Sequence, residues 1–403
     1  MRWELRRRRV HGLIGLLIVL LVGAAQAPAA EALVYVGTYT DKGSEGIYAF
    51  RFDPATGRAR PLGLAAATDN PSFLAVDPDG RFLYAVNELD EFRGEPSGAV
   101  SVFAIDRGSG RLNRLQQVSS LGRGPAHLSL DTSARYLLVA NYGGGSMSVF
   151  PIGADGRLGR RSAFVQNAGS SVNPDRQAGP HAHFIQVTRD NRFAITADLG
   201  LDKLLVHRFD AGTGSLTPGT PASAAVDPGA GPRHVAFAPS GKFLYVVNEL
   251  ASTVTVFAWD AGPGTLNRKQ MIPTLPKDFA GRNTAAEIAL DAKGRFLYVS
   301  NRGDDSIAVF RVDPGDGGLE SLERVPVGGK TPRHFAIDPA GQWLFVANQN
   351  SNSVNLFRIG RTSGRLARVN RPLAVVSPAC VSIVSFDKVS GMIAEEKGND
   401  RRP

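Results

Sequence analysis

Residues 231–250 read GPRHVAFAPSGKFLYVVNEL, and residues 331–350 read TPRHFAIDPAGQWLFVANQN. A chain that writes one phrase repeatedly is committed to a repeat architecture, because each unit must bury its apolar faces against its neighbours. The core of the phrase is a bulky pair, then apolar residues, then Asn. It occurs as RFLYAVNE ending at Asn87-Glu88, RYLLVANY at Asn141-Tyr142 and RFAITADL at Asp198-Leu199. It continues as KFLYVVNE at Asn248-Glu249, RFLYVSNR at Asn301-Arg302 and QWLFVANQ at Asn348-Gln349. The steps from Asn87 onward are 54, 57, 50, 53 and 47 residues. LVYVGTYT at 33–40 fits one step earlier, with Thr38 in the Asn place, which makes seven copies.

Each copy has the same internal grammar. A short apolar strand such as HVAFAP leads through a small polar turn (PSG, PDG, AKG) into the strand ending in Asn. A third strand follows (STVTVFAW, SIAVFRV, SVNLFRI), then a DPATGR- or RTSGR-like turn and a weaker fourth. Runs of β-branched and aromatic residues separated by Gly, Pro and Asp are antiparallel strands. Four strands per unit with no helical period between them predict an all-β, seven-bladed β-propeller.

The chain ends give an independent test. SPACVSIVS at 377–385 aligns with the first strand TPRHFAIDP, yet no second strand follows it. LVYVGTYT is a second strand with no first. The N- and C-terminal strands are therefore expected to share one blade, closing the ring over residues 33–386 and removing any long exposed edge. DKVSGMIAEEKGNDRRP supplies a polar C-terminal tail over 387–403.

Residues 1–32 are a different object. A basic stretch (MRWELRRRRVHG), a short apolar run (LIGLLIVLLVGAA) and small alternating residues have the order of a secretory signal peptide. Cleavage after Ala29 or after Ala32 both fit. The apolar run is short for a membrane span, which needs about 20 residues, so no stable anchor is expected after cleavage. Arg8-Arg9 leaves the Sec and twin-arginine routes both open. An exported, periplasmic protein is the expectation.

Five Arg and one Glu in residues 1–30 carry +4 of the formal net charge of +9, leaving +5 on the remainder. That surplus is spread out, with no basic helix and no Lys/Arg run after Arg9, so nucleic-acid binding is not expected. Cys380 is the single cysteine, which excludes an intramolecular disulfide and fits a small buried side chain.

In a propeller blade the start of the innermost strand and the end of the second open onto the same face, around a central channel mouth. Aligned first strands give the column Ser72, Ala126, His183, Arg233, Ala286, Arg333, Ala379. The next column is Phe73, His127, Phe184, His234, Glu287, His334, Cys380. After the second strands come Tyr39, Glu88, Tyr142, Leu199, Glu249, Arg302 and Gln349. A purely structural repeat fills equivalent positions alike. These columns do not, and their ionisable groups concentrate in the fourth to sixth units as His181, His183, Arg233, Glu249, Glu287 and Arg302. Hydrogen bonds to loops and ion pairs between blades are the competing explanation for each residue. His181-Ala182-His183 places two imidazoles on one side of a strand, but no third ligand stands out, so neither a metal nor another cofactor is expected. GGG at 143–145 lacks a phosphate cradle's strand-to-helix context and reads as a tight hairpin.

VYVGTYT, GPHAH, GPRHVAF, YVVNEL, AAEIAL and LYVSNRG together resemble the bacterial 6-phosphogluconolactonases of the seven-bladed propeller type, a family that includes fungal carboxy-cis,cis-muconate lactonising enzyme. The likeness spans residues 33–386. It implies lactone chemistry at His183 (or His181), Arg233, Glu249 and Arg302, with His181, Glu287 and Arg333 as substrate-binding candidates. Glu249 or His183 would be the general base, and Arg233 and Arg302 would stabilise the oxyanion or hold an anionic substrate group. The leader departs from the cytosolic members and points to an unphosphorylated aldonolactone such as gluconolactone. A non-catalytic exported propeller, acting as a binding or scaffold module, is the alternative of a different class. Oligomeric state leaves no signal in the sequence.

Overall fold

The computed structural model describes residues 31–385. The expected leader (apart from Glu31 and Ala32) and the expected tail lie outside these residues. Seven four-stranded antiparallel sheets form the blades of a propeller, and helix is limited to two single 3-10 turns, Leu199–Leu201 and Gln349–Ser351, among the described residues. Blade 1 joins Pro378–Val384, innermost, to Ala32–Thr38, Gly46–Asp53 and Arg58–Ala67. Leu33 pairs with Val384, Tyr35 with Ser382 and Gly37 with Cys380, so the two chain ends share a blade as the orphan strands require. Blades 2 to 7 follow in chain order.

The core lies between blades, in seven apolar clusters, one at each interface. Alternation along the second strands shows why. In Phe243–Asn248, Tyr245 and Val247 face blade 6, while Leu244 and Val246 face blade 4. Both faces of the sheet are covered, so the strand reads as an unbroken apolar run rather than an alternating one. At the closing interface Phe52 of blade 1 meets Phe345 of blade 7 edge-on at 4.8 Å.

Polar stitches repeat with the same period. The hydroxyls of Tyr84, Tyr245 and Tyr298 donate to Gly156, Gly317 and Gly364 carbonyls in the next blade's outer turn. Trp343 Nε1 makes the equivalent bond to the Pro54 carbonyl at 2.9 Å, across the closure. The buried Asn column ties second strands to the inter-blade crossovers: Asn87 Nδ2 donates to Thr68 Oγ1, Asn141 Nδ2 to the Ser120 carbonyl, and Asn301 Oδ1 accepts from Thr274 Oγ1. Buried amides anchored in this way hold the residue that follows them at the channel mouth.

Candidate active site

The inner strands carry a shared irregularity. Their register slips between Pro125 and His127, Ala182 and Phe184, Pro232 and His234, and Pro332 and His334, with the corresponding shift in blades 1 and 6. Each slip leaves its first-column residue unpaired, and in blade 6 Glu287 as well as Ala286, and such a bulge re-aims a side chain. In blades 4, 5 and 7 those residues are His183, Arg233 and Arg333.

A cavity of about 370 Å³ lies at this face of the ring, lined by Tyr39, Glu88, Ala126, Tyr142, Arg176, His183, Glu249, Thr284, Arg302 and Arg333. Two carboxylates organise it. Glu249 is buried, and its Oε2 lies 2.9 Å from Arg302 Nη2 and 3.2 Å from Arg233 Nε, while Oε1 accepts from Arg176 Nη2 at 2.8 Å. Burial alone would raise its pKa, but Arg302, Arg233 and Arg176 outweigh that and hold it down to about 2. Arg233 is sealed behind Glu249, with Nη1 on the Ala286 carbonyl at 2.7 Å. Burial and the neighbouring Arg302 and Arg333 push its pKa down to about 9, which leaves it charged at neutral pH. Glu88 is the second organiser. It accepts from Tyr39 Oη at 2.7 Å and from Ser72 Oγ, and lies 3.9 Å from Arg333 Nη2.

Arg333 stacks over the Tyr39 ring at 5.0 Å and is the lining guanidinium with no carboxylate oxygen at hydrogen-bond distance. His183 faces it. The residue is 5% exposed, and burial, with Arg233, His234 and Arg333 nearby, lowers the imidazole pKa well below the usual value. The ring is therefore neutral near pH 7, with Nδ1 sealed from solvent and unpartnered.

The second column lies deeper and plugs the channel. Phe73 packs on His127 at 4.3 Å, His127 on Phe184 at 4.4 Å, and His234 contacts His127 and His183 at 5.2 and 5.1 Å. Glu287 is buried in this layer, Oε2 lying 2.9 Å from His234 Nδ1 and 3.5 Å from His334 Nε2.

Of the residues singled out in the sequence, His183, Glu249, Arg302 and Arg333 line the cavity, and Arg233 backs it. Two that were expected to contact substrate sit elsewhere. His181 stacks on Tyr142 at 4.6 Å with Nδ1 on the Tyr142 carbonyl, so it positions a lining residue. Glu287 is not among the lining residues and is buried in the second-column layer against His234 and His334. Arg176 was not anticipated. It comes from the connection between Ala163–Gln166 and Ala182–Val187, outside the repeat. The one available signal was the 57-residue step from Asn141 to Asp198, the longest of those counted from Asn87.

Known proteins resemble this chain over nearly the whole ring. The family model described as "Lactonase, 7-bladed beta-propeller" matches residues 33–383. A 6-phosphogluconolactonase of Bacillus subtilis is 35% identical over 351 residues, covering 87% of this chain and 97% of the relative. A protein of the same name from Formosa agariphila is 32% identical over 303 residues, 74% of this chain and 84% of its own length. The solved structure of a Pseudomonas aeruginosa periplasmic gluconolactonase superimposes with a TM-score of 0.82 at 38% identity, covering 89% of this chain and all of that one. With seven blades closed by the two chain termini and a cavity built from the strand ends, the chain belongs to the seven-bladed β-propeller lactonase family.

Proposed function

We propose that this lactonase hydrolyses an unphosphorylated sugar-acid lactone, such as glucono-δ-lactone, outside the inner membrane. One observation carries the reading: a neutral imidazole, His183, shares a cavity with Arg333, a guanidinium whose paired carboxylate, Glu88, stays 3.9 Å away, beyond hydrogen-bond distance. His183 takes a proton from water as the water attacks the lactone carbonyl carbon. The charge that gathers on the carbonyl oxygen is met by Arg333, seconded by Arg302. As the ring C–O bond breaks, the proton held on His183 passes to the departing oxygen, leaving an open-chain hydroxy acid. Glu249 is a poor base, because three guanidinium groups surround it and its pKa is held to about 2. Its role is to hold Arg302 and Arg233 in place.

The same arrangement favours a substrate without a phosphate. A phosphate monoester carries about −1.5 to −2 charges near neutral pH. Arg176, Arg233 and Arg302 already converge on Glu249, so the developing oxyanion takes up Arg333, with Arg302 in support, and no lining guanidinium is left over for a phosphate. The expected leader and the printed name of the Pseudomonas neighbour agree with an exported enzyme acting on gluconolactone. The test is a pH-stat comparison of fresh glucono-δ-lactone with 6-phosphogluconolactone. The expected result is a higher kcat/KM for the unphosphorylated lactone. A preference for the phosphorylated one, or acid release at the spontaneous rate with both, overturns the reading.

A further inference from the structure

The three channel histidines of the second column do not bond alike. His127 Nδ1 accepts the backbone N–H of Ile185 in the following blade at 3.4 Å, and His334 Nδ1 accepts that of Val381 at 3.3 Å. Both donors are the residue after the second column, so both rings carry hydrogen on Nε2. The equivalent donor for His234 is the N–H of Ile288. Glu287 takes it instead, through Oε1 at 3.2 Å, and turns Oε2 to within 2.9 Å of His234 Nδ1. A carboxylate oxygen this close to Nδ1, although not aligned with it as a hydrogen bond, favours hydrogen there, which leaves Nε2 of His234 as an acceptor. That Nε2 is buried and without a hydrogen-bond partner, and so is Nδ1 of His183, whose ring centroid lies 5.1 Å away.

We infer that Glu287 and His234 are positioning residues for His183: the carboxylate sets His234 with hydrogen on Nδ1, and His234 Nε2, directly or through one water, accepts hydrogen from His183 Nδ1. His183 Nε2 is thereby left as the basic nitrogen toward the cavity. The inference rests on the proposed role of His183 as base and adds what orients it, the third group that an activated base requires. The blade fold does not require a carboxylate at this position, since Phe and Cys fill the same column in blades 1, 2 and 4. A buried carboxylate is costly unless paired.

Several charges face this line of groups. His183 lies in the fields of Arg233 and Arg333 and beside the Tyr142 ring at 5.3 Å. His234 faces Glu287, Arg233, Arg333, Arg302 and Glu249, with His127 and His183 against its ring. Glu287 faces Arg233 from above and His334 from the side, and His334 also meets the Cys380 Sγ at 3.8 Å. The arginines disfavour a proton on His183, whereas an acceptor at Nδ1 favours it. Removing the acceptor makes His183 a weaker base, so the acid limb of kcat/KM moves to lower pH and the plateau falls.

The test uses His234→Phe, which installs the residue that blades 2 and 4 carry in this column, and Glu287→Gln, which keeps the shape and the acceptor for Ile288. Histidine ring ¹⁵N resonances report tautomers without reference to turnover, and the pH profile of glucono-δ-lactone hydrolysis is read alongside. The expected result is loss of the Nδ1–H signature of His183 in His234→Phe and reversal of the His234 tautomer in Glu287→Gln. In both, kcat should fall at least about 10-fold with KM little changed, and the acid limb should move down. Unchanged His183 tautomer and pH profile in both folded variants overturn the inference. His183→Ala separates the two claims: if it keeps the wild-type rate, the site reading itself fails. If it is inactive while the other two variants behave as wild type, only the orienting role fails.

Discussion

Arg302 and Arg233 close on the same oxygen of Glu249, at 2.9 and 3.2 Å, from neighbouring blades. With the half-exposed Arg176 on the other oxygen, this is a charge cluster in which the buried carboxylate is the hub. Removing the hub leaves like charges facing one another. Glu249→Gln is expected to lower stability by about 3–5 kcal/mol at neutral pH, the usual cost of breaking a buried pair. The folded pKa of about 2 lies below the ordinary 4.5, so the stabilisation is complete above pH 4.5 and disappears as pH falls toward 2. Thermal melts of the two proteins should therefore converge across that window. A gap that stays constant down to pH 2 would contradict the assignment.

Arg333 differs from its neighbours in having no carboxylate at hydrogen-bond distance. Arg333→Gln should lower kcat by about 10²–10³-fold, the cost of removing one oxyanion donor, with little loss of thermal stability. Arg333→Lys should recover only part of it, because a point charge does not reproduce the planar fork stacked on Tyr39. Steady-state kinetics of the two variants on glucono-δ-lactone check this.

The seat of His181 depends on a glycine. A Cβ at Gly200 would lie 1.9 Å from the Gly179 carbonyl oxygen and 2.9 Å from the His181 nitrogen. Gly200→Ala must shift that backbone, and with it the His181 ring stacked on Tyr142. We expect about 1–3 kcal/mol of destabilisation and a raised KM. Denaturant unfolding and kinetics measure the two effects separately.

Ring closure carries its own prediction. Ending the chain at Val376 deletes the strand Pro378–Val384 and exposes the edge of Ala32–Thr38, together with the apolar residues packed against it. An unpaired edge of that kind promotes self-association. The truncated chain should lose its cooperative melt and run as aggregate in size-exclusion chromatography, whereas ending it at Asp387 should change neither.

The propeller was legible because its units repeat and because both sheet faces are buried, which turns each second strand into an apolar run ending in a stitched Asn. Closure was legible from one orphan strand at each end. The mouth residues were legible for a related reason: the bulge falls at one column, so His183, Arg233 and Arg333 share an orientation. What separates them from Glu287 is a single residue of register, which turns a side chain from the mouth to the buried second-column layer, and an alignment of columns does not say which is which. The sequence left Glu249 and His183 both open as the base, with histidine the easier one near neutral pH, and the three guanidinium groups around Glu249 belong to distant parts of the chain that no column brings together. Arg176 lies outside the repeat, so no column contains it.

The central claim is that His183 activates water at a mouth where Arg333 meets the developing charge. The most direct measurement is pH-stat acid release from fresh glucono-δ-lactone by the wild-type protein and by His183→Ala, each corrected for spontaneous hydrolysis. The account predicts clear acceleration by the wild type and a fall of at least about 10²-fold in kcat for the folded variant. Equal rates from the two proteins would contradict it.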